Sequence, residues 1–306
     1  MVRNKKESML EYFFSVLLVT SRYLSGCRYA LLIYALLCSL LLLLGIPKRF
    51  WVVWSNLTYV FSDQSFKDRL VLFVKHFFSI GQGVVEAFLA WAMPISWWTK
   101  RLTIQGESVL SATQETGALL LTPHMHTLEI LPKALAVYGQ TLHLVFQRSH
   151  LHGVGQKVTK LREEYARCLV HTQVRAIRRV LHSKKLLGLL PDQCMRGMAQ
   201  VQVPFLGKPA WTITSPIRLS ARAKVPIVVI YCERLVFAKE YRLVVQTVKE
   251  STWTGDVTKD TATINALLGD VILAQPARYY WFHRRFKGIV GDSDSLSESK
   301  MTKETK

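Results

Sequence analysis

From Leu102 onward, short runs of aliphatic residues alternate with segments of helical period, and this alternation constrains the fold more than any other feature. The runs "LTIQG", "GALLLT", "TLHLVFQRS" (141–149), "LLGLLPD" (186–192), "VPIVVIYCER" (225–234) and "EYRLVVQTV" (240–248) read as strands. Helical patterns fall between several of them, over 128–137, 154–168, 174–183 and 215–223. Strands that alternate with helices predict an α/β sheet. After Asp256 one more helical pattern runs until Pro276, which a helix interior does not tolerate.

Upstream the pattern differs. "YALLIYALLCSLLLLLGI", residues 29–46, has 18 residues and no charge. That is the lower limit for crossing about 30 Å of hydrocarbon at about 1.5 Å per residue. Pro47, Lys48 and Arg49 end the run, and Phe50, Trp51 and Trp54 follow it. A cleaved signal peptide fits poorly, because the run starts late and no small-residue cleavage site follows. The segment predicts a retained membrane anchor, spanning the bilayer or lying in its interface. Basic residues flank both ends, so the positive-inside rule assigns no orientation. Residues 67–93 read as one or two very apolar helices, with Gly81 and Gly83 expected to loosen the middle. The expected organisation is an N-terminal anchor over 1–50, one domain over 51–287, and a disordered tail rich in Gly, Ser, Lys and Glu over 288–306.

Charge narrows the partners. The chain has 40 Lys and Arg against 21 Asp and Glu, a net charge of +19. Such a surface attracts nucleic acid, anionic lipid or an acidic carrier protein. The basic residues are spread along the chain, and no helix-turn-helix or RNA-binding motif accompanies them, which argues against nucleic acid. Mean hydropathy of +0.17 is greasy for a soluble enzyme and too polar for a transporter of many spans. The five cysteines are scattered and form no C-x-x-C pair, so reduced thiols in a cytosol-facing protein are expected.

"LLLTPHMHTLEILPKAL", residues 119–135, holds the candidate chemistry. Pro132 is comfortable only in a helix's first turn, so the helix begins near 127–131, with Thr127 a candidate N-cap. His124 then lies in the preceding turn and Glu129 in the first helical turn. Five residues apart on one helix would set them about 140° from each other; the turn lets them converge. A carboxylate on one imidazole nitrogen fixes the tautomer and stabilises the imidazolium formed when the other nitrogen takes a proton. A rival reading makes His124, His126 and Glu129 zinc ligands, although H-E-x-x-H is absent. A third leaves the stretch a buried turn. The chain has no G-x-S-x-G elbow, P-loop or G-x-G-x-x-G. An enzyme without its own nucleophile or cofactor activates one substrate against another.

H-x4-E after a strand, in a basic chain with an N-terminal anchor, resembles the lysophospholipid acyltransferase superfamily, and within it the bacterial lipid A late acyltransferases. "LLPDQ" (189–193), "VPFLGKPAWTITSPIRLSAR" (203–222) and "QPARYYWFHRRFK" (275–287) resemble that family's later blocks, and "SNLTYVF" (55–61) loosely matches its early one. The resemblance implies a mixed central sheet flanked by helices, of the glycerolphosphate-acyltransferase kind. It implies His124 as general base, Glu129 as its acidic partner and Asp192 as a second carboxylate. It places Arg148, Phe205, Gly207, Arg284 and Arg285 at the substrate, with Arg148 near the oxyanion or a phosphate. It implies a fatty acyl thioester on acyl carrier protein as donor, a lipid A precursor as acceptor, and no metal or organic cofactor. The site would lie at the inner membrane and face the cytoplasm. Acyl-CoA as donor and another glycolipid or a lysophospholipid as acceptor stay open. The sequence departs from the family at His126, where an aromatic or aliphatic residue is usual, and at Cys194.

Overall fold

The structure is a computed structural model that describes residues 5–45, 47–147, 152–194 and 197–287. The tail expected over 288–306 lies outside them, as does Arg148. Five helices come first: α1 (Lys5–Leu24), α2 (Arg28–Gly45), α3 (Pro47–Val60), α4 (Phe66–Ala92) and α5 (Ile95–Thr99). An alternating region follows: β1 (Leu102–Gln105), α6 (Glu107–Thr116), β2 (Ala118–Leu121), α7 (Ile130–Val137), β3 (Leu142–Phe146), α8 (His152–Glu163), β4 (Ala166–Val170), α9 (Val174–His182) and β5 (Leu186–Leu189). A hairpin of β6 (Gln200–Phe205) and β7 (Lys208–Ile213) leads to α10 (Ser215–Ala223), β8 (Ile227–Val236), β9 (Glu240–Thr247) and α11 (Val257–Ala274).

Seven strands form one mixed sheet in the order β1-β9-β8-β2-β5-β3-β4. Every neighbouring pair is parallel except β8 with β9. The expected sheet is therefore present, with helices on both faces. Alternate residues of each strand point to opposite sides. Leu120, Leu142, Leu186 and Val228 pack on one face with residues of α2, α4 and α7. Leu119, Leu121, Leu187 and Ile227 pack on the other with Ile177 and Leu181 of α9, Ile217 of α10 and Leu268 of α11.

The apolar N-terminal run is not a separate tether. Leu31, Ala35 and Cys38 of α2 belong to the same core as the sheet, while Ile33, Leu37, Leu40, Leu41 and Leu44 on its other side are exposed. α1 joins as well, with Phe14 stacked on Phe88 and Trp91 of α4 at 5.2 and 5.7 Å. Ser65 caps α4 by accepting a hydrogen bond from the Asp68 N–H. Among the described residues α4 alone is, as a single helix, long and apolar enough to cross a membrane, with the bent α2–α3 pair as a second candidate.

The glycines of α4 do the reverse of what the sequence suggests. The helix is continuous. A Cβ on Gly81 would stand 2.0 Å from Ser39 Oγ and 2.3 Å from the Ala35 carbonyl oxygen. One on Gly83 would stand 2.7 Å from His126 Cβ. These positions let α2 and the histidine turn approach the α4 backbone. A second correction concerns 154–168, expected as one helix. The helix stops at Glu163, and Ala166–Val170 pairs with β3 as the sheet's last strand. Arg167 and its neighbours carry no helical breaker, so sheet pairing decided what local pattern could not.

Candidate active site

β2 and β5 are parallel neighbours, so the loops after them leave the sheet side by side. His124 lies three residues past Leu121, and Asp192 three past Leu189. Crevices outside the carboxyl ends of strands are where open α/β sheets bind ligands. Asp192 is fully buried, and one of its oxygens accepts from the His124 backbone N–H at 3.0 Å. The other lies 2.7 Å from His124 Nδ1. The ionised carboxylate only accepts, so Nδ1 carries the proton and Nε2 is left with a free lone pair. The imidazole keeps 26% of its surface exposed.

Burial alone would raise the Asp192 pKa. The His124 charge and the hydrogen bonds from His124 outweigh it, and the carboxyl titrates below its ordinary value. The buried phenol of Tyr279 lies against Asp192; burial and that charge push its pKa well above the usual tyrosine value.

The imidazole's partner is thus Asp192, and the expectation that Glu129 fills that place is corrected. Glu129 precedes α7 and faces the other way. Its carboxylate accepts from Trp91 Nε1 at 3.1 Å and Arg162 Nε at 2.9 Å, and Arg162 Nη2 closes a second bond. Burial would lower the Arg162 pKa, but the Glu129 charge and hydrogen bonds raise it. The zinc reading falls with this geometry. His126 is buried, with Nδ1 3.0 Å from Ser79 Oγ, and burial, then the charges of His76, Arg234 and Arg278, hold its pKa well below the usual value. Among the described residues no three His, Cys, Asp or Glu side chains converge as a metal would need.

The C-terminal segment closes over the histidine turn. The His126 N–H donates to the Arg278 carbonyl at 2.8 Å, and the Tyr280 N–H donates to the His124 carbonyl at 2.9 Å. Met125 and Tyr279 pair between them as an antiparallel bridge. Asn56 of α3 holds this strap from the other side, donating to the carbonyls of Trp281 and His283 at 2.8 Å each. His283 sits near His124 and Asp192, and burial, then the Arg285 charge, push its pKa down to about 4.

The remaining expected residues divide. Arg284 is exposed. Arg285 is 4% exposed, bonds to the Trp211 carbonyl and Thr212 Oγ1, and lies over the Phe205 ring. A guanidinium held there cannot reach a membrane phosphate, so its expected substrate contact is replaced by a structural one. Phe205 is fully buried beside Tyr279 and Phe286. Leu206 and Gly207, both with positive φ, make the tight turn of the β6–β7 hairpin. Arg162, Tyr279 and His283 were not singled out from the sequence. The last two lie inside the "QPARYYWFHRRFK" block, while no spacing ties Arg162 to Glu129.

A carboxylate-held histidine thus lies at the carboxyl ends of two parallel strands, on a helix-flanked mixed α/β sheet. A model of the bacterial lipid A biosynthesis acyltransferase family matches residues 41–288, and the chain belongs to that family. It is an O-acyltransferase of the lipid A biosynthesis type. The chain is 27% identical over 262 residues to the lipid A biosynthesis lauroyltransferase of Escherichia coli K12, covering 83% of this chain and 85% of that one. It is 24% identical over 250 residues to the palmitoleoyltransferase of the same strain, covering 79% and 80%. It is 23% identical over 243 residues to a lipid A biosynthesis acyltransferase of Haemophilus influenzae, covering 78% of each.

Proposed function

We propose that this enzyme moves a fatty acyl group from an acyl carrier protein thioester to a hydroxyl of a lipid A precursor, with His124 as the general base. The observation that carries this is the His124–Asp192 pair, which fixes Nδ1 and frees Nε2. Nε2 takes the acceptor hydroxyl's proton as its oxygen attacks the thioester carbonyl. The C–O bond forms and a tetrahedral oxyanion develops. That oxyanion collapses, the C–S bond breaks, and the thiolate leaves with the proton returned by the imidazolium. Asp192 stabilises the imidazolium between the two proton transfers. Arg148 or backbone N–H groups stabilise the oxyanion. Glu129 acts through its ion-pair partner Arg162, and Arg284 meets acceptor phosphate. No metal or organic cofactor takes part.

The exposed apolar residues of α1, α2 and α4 seat the protein on the bacterial inner membrane, with the site opening to the cytoplasm, so that both acyl-bearing substrates meet at the bilayer surface. Lipid A mass spectrometry of cells lacking and regaining the gene tests the reading. A shift of one acyl chain, restored by wild type and not by His124→Ala, is expected. An unchanged profile overturns the acceptor assignment.

A further inference from the structure

On the face of the sheet away from α2 and α4, the neighbouring helices α9 and α10 carry charge of one sign. α9 and α10 lie side by side there, burying Ile177, Leu181 and Ile217. Their outer surfaces expose Arg175, Arg178, Arg179, Arg218 and Arg222, and Lys224 ends α10. Among the described residues none of the six is in an ion pair. From 171 to 225 the sequence holds a single acidic residue, Asp192, which is buried and committed to His124. Uncompensated like charges repel one another and cost stability, so folding gives no reason to gather them. Between the helices runs a shallow crevice with an apolar floor of Leu181, Leu219 and Ala223, rimmed by Arg178, His182 and Arg222.

A bilayer is the poorer occupant. The large exposed apolar side chains of α1, α2 and α4 lie on the other side of the sheet, and on α9 and α10 Val174 is the single exposed one. A membrane wetting α2 therefore leaves α9 and α10 facing away from it, open to a soluble partner. α9 also runs directly into β5, at whose far end Asp192 holds His124.

We propose that the α9–α10 face is the docking surface for the acidic acyl carrier protein that delivers the thioester. The proposal rests on the carrier-protein donor assigned above. Opposite charge across such a surface steers encounter and falls with ionic strength. The test compares full-length wild type with the triple variant Arg178→Glu, Arg179→Glu, Arg222→Glu, in detergent with a lipid A precursor. Each is given the same fatty acid as an acyl carrier protein thioester and as a pantetheine thioester. The variant's KM for the carrier-bound donor should rise at least tenfold with kcat retained, while turnover of the pantetheine thioester is unchanged. The carrier-donor rate of wild type should fall with added salt, and that of the variant should not. Unchanged kinetics with both donors, or equal losses with both, overturn the proposal. So does a variant that keeps carrier kinetics but no longer floats with vesicles of phosphatidylglycerol, which assigns the face to the membrane. A wild type that uses coenzyme A thioesters and ignores the carrier protein removes the donor reading itself, a separate result.

Discussion

In the mechanism proposed above, His124 is a directed base because Asp192 decides which of its ring nitrogens keeps the proton. His124→Ala should lower turnover by about a hundred- to ten-thousand-fold, the usual contribution of a general base, measured with purified enzyme and a carrier-bound donor. Asp192→Asn and Glu129→Gln separate the two carboxylates. Removing the Asp192 charge disfavours the imidazolium, so the acid limb of the rate–pH profile should move to lower pH. Glu129→Gln should lower activity while leaving that limb in place, because its partners are Arg162 and Trp91. An acid limb that moves with Glu129→Gln would return Glu129 to the imidazole. Asp192 also makes a stability prediction. Its pKa is depressed in the fold, so its contribution is present above the unfolded-state carboxylate pKa and lost as pH falls through the folded value. Melting temperature should therefore fall more steeply between neutral pH and about pH 3 in wild type than in Asp192→Asn.

Elements account for what the sequence disclosed and what it hid. Six strand patterns were legible because buried parallel strands read as unbroken aliphatic runs, and each of those runs supplies a strand of the sheet. β4 was hidden because Ala166–Val170 follows a helical segment with no Gly or Pro between, and only pairing with β3 makes it a strand. The β6–β7 hairpin does not read as strands, since Pro204 and Pro209 speak against pairing; the two sit opposite each other, where the hairpin tolerates them. His124 was legible from its place between a strand and a proline-limited helix. Its contact with Asp192 was not, because a separation of 68 residues carries no local signal. α4 gives a direct prediction. Gly81→Ala should gain helix propensity and lose more, since the added methyl meets the Ala35 backbone; a net cost of about 1–3 kcal/mol is expected from overpacking. Thermal unfolding checks it, with Gly26→Ala, where nothing lies within 4 Å, as the neutral control.

Across the whole molecule, one sheet separates a greasy side from a basic one. Placing lysines at Leu37 and Leu41, which are 52% and 66% exposed, should leave the unfolding free energy within about 0.5 kcal/mol of wild type, as exposed substitutions do. Vesicle flotation should drop sharply, and KM for acceptor embedded in bilayers should rise while that for acceptor in detergent holds. Flotation unaffected by both lysines would show that the exposed leucines of α2 are not what meets lipid. The domain's edges were only partly legible for the same reason: α2 looks like an isolated anchor in composition, yet half of its circumference is core.

The strap over residues 276–287 emerges from the ribosome after every strand of the sheet has been made. Until Arg278 and Tyr280 arrive, the histidine turn lacks the two backbone hydrogen bonds that the strap supplies. The last described stretch to be made is thus the one that closes over His124, Met125 and His126.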